Sequence, residues 1–136
     1  MAQVAVFEAR LENEPGVTRT LAVRSDETLA ALHRLIQKAF DWQDDHLYSF
    51  WLDGGFWGAR ESEYTVPIEL EEGAQSSEVA LDVLALEPGQ RIAYIFDYGD
   101  EWRVSLKLRE IREEGEVGIL ECKGEAPPQY PDYADD

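Results

Sequence analysis

The chain has 136 residues, 44% of them apolar, with 29 acidic against 12 basic side chains and a net charge of −17 at pH 7. This length fits one domain that buries about two-thirds of the surface its unfolded chain exposes, and an ordinary apolar share means that the acidity does not imply disorder. Such a charge repels polyanions, and no run of Lys and Arg is present to release counterions from a phosphate backbone, so nucleic acid is disfavoured as a partner.

Residues 1–8 lack a basic start followed by an apolar run, so no signal peptide is expected. Residues 3–11 alternate, with Val4 and Val6 opposed to Ala5, Phe7, Ala9 and Leu11, which predicts a strand apolar on both faces. The turn Asn13-Glu14-Pro15-Gly16 leads to a second strand over 17–23. Residues 25–28 offer capping side chains, and a helix is predicted over 29–40 from Leu29, Leu32, Ile36 and Phe40, with Arg34, Gln37 and Lys38 on the opposite side. His33 flanks the apolar stripe, and 41–45 reads as a polar loop interrupted by Trp42.

A strand is expected over 46–52, followed by a turn at Asp53-Gly54-Gly55, with Phe56-Trp57 beginning a return strand. Residues 61–90 hold eight acids and no Lys or Arg, and read as an irregular exposed insertion with a short helical turn near 81–84. Residues 94–108, Y-I-F-D-Y-G-D-E-W-R-V-S-L-K-L, are a hairpin: alternating runs flank Asp97-Tyr98-Gly99-Asp100, with Gly99 expected to supply the positive dihedral and Trp102 pointing inward. A last strand is expected over 117–122, and beyond Gly124 the prolines dictate a tail, laid over the surface by Tyr130 and Tyr133. The expected architecture is α+β: a mostly antiparallel, rolled sheet of hairpins packed on one main amphipathic helix, with a single domain over 1–123 and a Pro/Asp-rich C-terminal tail over 124–136. One cysteine, Cys122, excludes an intramolecular disulfide and a Cys-rich zinc site, and no window approaches the roughly 20 apolar residues that span a bilayer. A soluble cytoplasmic protein is expected.

Four segments carry a resemblance: T-L-A-A-L-H-R-L-I-Q-K-A-F-D-W at 28–42, H-L-Y-S-F at 46–50, Y-I-F-D-Y-G-D-E-W at 94–102 and, more loosely, C-K-G-E-A-P-P at 122–128. In order and spacing the chain resembles the plasmid pRiA4b open-reading-frame-three-like family, whose members also occur as mobile-element passengers labelled TnpR. The resemblance implies an α+β fold with a rolled sheet and no established activity. Two positions depart from it: Val104 stands where members commonly have His, and Gln129 and Tyr130 stand where acidic residues commonly follow the double proline.

Asp97, Asp100 and Glu101 bring three carboxylates to one hairpin. Close carboxylates stay hydrated, share a proton or take up a hard cation such as Mg²⁺ or Ca²⁺, although turn aspartates commonly bond their own backbone. His33 and His46, the two histidines, would with Asp97 and Asp100 form a two-His, carboxylate site for Zn²⁺, Mn²⁺ or Fe²⁺; no helical i, i+4 spacing supports it. The D-Y-G triplet is no kinase signature, since a Gly-rich loop and an H-R-D segment are missing, and neither Cys122 nor any G-x-S-x-G pattern offers an activated nucleophile. Trp57, beside a Gly-rich turn, is the tryptophan expected to be exposed. The leading expectation is a non-catalytic binding module, without a cofactor, that meets a protein partner through Trp42, His46, Asp97, Asp100 and Trp102. The alternatives are a metal-dependent hydrolase-like enzyme using His33, His46, Asp97 and Asp100, and an accessory protein of mobile-element DNA transactions.

Overall fold

The computed structural model describes residues 3–66 and 75–129. In chain order the elements are β1 (Val4–Leu11), β2 (Thr18–Arg24), α1 (Leu29–Ala39), β3 (Tyr48–Trp51), β4 (Glu63–Thr65), β5 (Gln75–Ser76), β6 (Arg91–Phe96), β7 (Trp102–Arg112) and β8 (Gly118–Lys123), with 3₁₀ turns at Arg60–Ser62 and Leu81–Leu84. The strands make one sheet in the order β5-β4-β3-β6-β7-β1-β2-β8. Its pairings are antiparallel except β4 with β5, so the protein is α+β with a mixed, largely antiparallel sheet. No helix among the described residues is long and apolar enough to cross a membrane.

The alternation of the strands places the core. Ala5, Phe7, Ala9 and Leu11 of β1 share one hydrophobic cluster with Leu21 of β2, Phe50 of β3, Tyr94 and Phe96 of β6, Val104, Leu106 and Leu108 of β7, and Leu29, Leu32 and Ile36 of α1. Full burial of each large apolar side chain contributes about 1.5–3 kcal/mol. The opposite face carries two smaller clusters, Val4, Val6 and Ala22 against Leu120, and Trp51, Ala93 and Ile95 against Phe56 and Tyr98. That second layer explains why β1 and β6 are apolar on both sides.

Helix α1 begins at Thr28, whose Oγ1 accepts from Ala31 N at 3.1 Å. It ends through Asp41, held left-handed at φ +59°, with Asp41 N donating to Lys38 O and Trp42 N donating to Gln37 O. This is a Schellman closure with Asp where Gly is usual, and it throws the following apolar residue back onto the helix end. Trp42 is therefore core, not an interruption in a polar loop: it lies 5.0 Å from Phe40, ring to ring.

Several expectations are corrected. Phe56-Trp57 begins no strand; the return strand on β3 is β4, inside the stretch read as an exposed insertion. Thr65, Ser77 and Leu81 of that stretch are buried. Thr65 Oγ1 donates to Tyr48 O at 2.6 Å and Ser77 Oγ meets Tyr48 OH at 2.7 Å, so short polar residues are drawn in by the backbone and hydroxyl of β3. Gln37 lies not with Arg34 and Lys38 but inside, because it follows His33 by one helical turn. Residues 124–129 lie against the domain, with Gln129 buried, whereas Tyr130 and Tyr133 fall outside the described residues.

Candidate functional site

The end of the sheet where β6 turns into β7 gathers most of the residues singled out above. Phe96 closes β6 and Trp102 opens β7, paired directly across the ladder. Trp42 stacks on Phe96 at 5.5 Å and tilts against Trp102 at 5.6 Å, and His46 meets Phe96 edge-on at 6.0 Å. Trp42 and Trp102 are only 6% and 8% exposed, yet the Nε1 of each is buried without a hydrogen-bond partner. An orphaned buried donor costs about 1–3 kcal/mol, and two such donors in neighbouring rings are uncommon. His46 Nε2 stands 3.4 Å from Asp97 Oδ2 and 3.6 Å from Asp45 Oδ1 at the rim of this aromatic corner.

The hairpin tip is organised by Asp97. Its Oδ1 accepts from the backbone N–H groups of Gly99 and Asp100 at 3.1 and 3.2 Å, leaving Oδ2 toward His46. The left-handed dihedrals belong to Asp97 (φ +67°) and Glu101 (φ +50°), and Gly99 does not need one. Asp tolerates that region because its side chain closes the turn locally. Glu101 is held by Arg103 at 2.6 Å and by the Trp57 indole at 3.0 Å, which keep its carboxyl below the usual range. Trp57 itself is 48% exposed. The Asp100 side chain faces solvent.

His33 belongs to a different, interior network. It is 2% exposed and stacks flat on Tyr48 with ring centroids 3.5 Å apart. Its Nε2 lies 2.9 Å from Asp44 Oδ1 and its Nδ1 2.8 Å from Tyr94 OH, which also accepts from Gln37 Nε2 at 3.0 Å. The carboxylate can only accept, so the neutral ring carries its proton on Nε2 and Nδ1 accepts from Tyr94. Burial pushes the His33 pKa down to about 4, against the opposing pull of Asp44, and raises that of Tyr94 well above its ordinary value.

Both nitrogens of His33 are thus occupied away from the hairpin carboxylates, while His46 and Asp97 come together. Among the described residues no three His, Cys, Asp or Glu side chains gather into a group that could hold a metal. Of the five residues expected to form a recognition edge, Trp42, His46, Asp97 and Trp102 meet around Phe96, and Asp100 contributes its backbone N–H to the Asp97 turn.

Four participants, Gln37, Asp44, Tyr94 and Gln129, were not among the candidate site residues read from the sequence. Gln37 was legible through its i+4 relation to His33; Asp44 and Tyr94 had no local signal. Gln129 accepts from Gln43 N at 2.6 Å and donates to Gln43 O and Asp45 Oδ1 at 3.3 and 3.1 Å, clamping the loop that carries Trp42 and His46.

Comparison with known proteins agrees with this architecture and adds no chemistry. The chain is 30% identical, over 95% of its length, to the uncharacterized protein y4hQ of Sinorhizobium fredii, and spans 66% of that protein. Its fold matches the crystal structure of a protein of unknown function, MM3350 from Methanosarcina mazei Go1, with a TM-score of 0.74, covering 95% of this chain and 74% of that one at 22% identity. The family model described as plasmid pRiA4b ORF-3-like protein matches residues 3–130. With the hairpin, the helix and the aromatic corner all inside that match, the chain belongs to the plasmid pRiA4b ORF-3-like family.

Proposed function

We propose that this chain is a non-catalytic binding module whose recognition edge is the aromatic corner of Trp42, His46, Asp97 and Trp102. The observation that carries this reading is the pair of buried indole N–H groups with no acceptor beside a half-exposed imidazole. A partner that parts the rim and presents carbonyl or carboxylate oxygens would satisfy donors that the fold closes off from solvent and leaves without an acceptor. The interior His33 network has a hydrogen-bonded Asp–His–Tyr order, but Tyr94 is fully buried and its raised pKa makes it a poor nucleophile.

The test is affinity capture on the immobilised chain, with Trp102→Phe and Trp42→Phe as controls that keep the ring and delete the N–H. A reproducible protein partner lost from the variants, and shifted indole resonances for these two tryptophans on adding it, are the expected results. Identical capture by wild type and variants, or turnover on a hydrolase panel, would sink the proposal. A metal-assisted hydrolase site is the competing reading, favoured by the 3.4 Å approach of His46 to Asp97. Turnover that needs added Mg²⁺ or Zn²⁺ and disappears in Asp97→Asn would establish it instead.

A further inference from the structure

Helix α1 presents a second surface, away from the aromatic corner. Ala31, Arg34, Leu35 and Lys38 fall at i, i+3, i+4 and i+7, one stripe along the helix flank, with Glu27 just ahead of the helix start. This stripe faces β2 and the start of β8 across a cavity of about 320 Å³, floored by Val23 and the backbone of Ala22, whose side chain turns to the other face of the sheet, and bounded by Val117 and Gly118. The volume lies in the range of small-molecule sites, roughly 300–1,000 Å³. Leu35 is half-buried and Val117 55% exposed, so apolar surface lines the opening.

The charge of this groove is opposite to that of the protein. Three of the 12 basic residues, Arg24, Arg34 and Lys38, line it against one acid, Glu27, in a chain of net charge −17. Arg24 is committed to Asp26 at 2.8 Å. Arg34 and Lys38 pair with no carboxylate among the described residues. Two like charges one helical turn apart repel, and the many acids elsewhere supply neither with a partner. Lys38 also suits the C-terminal end of the helix dipole, but Arg34, in the middle of the helix, has no such compensation.

We infer that this groove binds a small amphipathic carboxylate, its apolar body against Val23, Leu35 and Val117 and its head group between Arg34 and Lys38. A guanidinium matches a carboxylate in planar, two-point geometry, and the adjoining ammonium adds a second positive charge. A polyanion is disfavoured, because everything beyond the groove repels it.

Decanoate is a suitable probe, compared with decanol and decyltrimethylammonium in amide-resolved NMR titrations of the full chain. The expected result is saturable movement of the Ala22, Ala31 and Gly118 amides with decanoate and weaker binding of the other two. R34Q/K38Q changes only exposed side chains; it should weaken decanoate roughly tenfold, the sum of two solvent-screened ion pairs, and leave decanol unaltered. Leu35→Asp should abolish binding of all three. Equal affinity for the cation and the carboxylate, an unchanged affinity in R34Q/K38Q, or no movement of the groove amides overturns the inference. So does a dimer that buries Leu35 and Val117 and that decanoate fails to dissociate.

Discussion

Acidification should destabilise this protein through His33 from about pH 6.5 downward. In the fold the imidazole is buried and held neutral, with a pKa of about 4 against an ordinary 6.5. The unfolded chain therefore takes up a proton that the native state refuses across this interval. Stability contributed by neutral His33 is complete above pH 6.5, falls as the pH drops through 6 and 5, and is gone below about 4. A gap of that size corresponds to a loss on the order of 3 kcal/mol, a large part of a typical domain's 5–15 kcal/mol. Relief of mutual repulsion in a chain of charge −17 acts in the opposite direction over the same range. The measurement must therefore be a difference: urea unfolding of wild type and of His33→Gln, which has the same charge at pH 7, at half-unit steps from pH 7.5 to 4.5. Subtraction cancels the shared electrostatics and should leave a curve falling steadily below pH 6.5. The imidazole resonances identify the group directly, since His46 is the sole other histidine. A flat difference curve, or a His33 resonance that titrates near 6.5, would refute the reasoning.

Two backbone-centred predictions follow from geometry. Buried Arg19 donates to the carbonyls of Ala39, Thr18, Lys123 and Gly124 and lies over the Phe40 ring at 5.3 Å, tying the end of α1 to the end of β8. Lys cannot reproduce that fork, so Arg19→Lys should lose about 2–3 kcal/mol in urea unfolding, and a loss under 0.5 kcal/mol would show the fork to be dispensable. Gly124 sits at φ +79°, where an added Cβ would overlap the Gly16 carbonyl. Gly124→Ala should cost about 1–3 kcal/mol and loosen amide protection in β8 ahead of β6; uniform protection would contradict the close approach.

The fold was legible wherever its signals were local. Leu29, Leu32, Ile36 and Phe40 declare the helix, and the alternation from Trp102 onward declares β7, because period alone decides which face is buried. Asp41 misled because Schellman closures are read from glycine, and the apolar residue after it, Trp42, was the better indicator. The His33 network was hidden for a different reason. Its partner Tyr94 lies 61 positions away along the chain and meets α1 only through the order of strands in the sheet. Likewise β4 and β5 are too short to show alternation, and the stretch around them is held by hydroxyls of Tyr48, Thr65, Ser77 and Tyr98 that no pattern announces. Hydrophobic periodicity encodes faces; it does not encode which polar groups find each other across the sheet.

The departures from family pattern at Val104 and Gln129 acquire physical content from the same geometry. Val104 is fully buried in the main core opposite Tyr94, so the interior polar network stops at that tyrosine on the β7 side. Gln129 is an amide where acidic residues are common, and its two polar ends have separate tasks: Oε1 accepts from Gln43 N, while Nε2 donates toward Asp45. A carboxylate there could keep the first bond but would face Asp45 with like charge. Gln129→Glu should therefore cost about 1 kcal/mol at pH 7, the loss of a charge-assisted bond discounted for the exposure of Asp45. The penalty should shrink as the pH falls and the introduced carboxyl protonates, the reverse of the trend for His33. Loosening of the 41–46 loop should also reduce protection of Trp42, read from hydrogen exchange of its backbone amide. A variant as stable as wild type at pH 7, with Trp42 exchange unchanged, would mean that Gln129 rests on this loop without holding it.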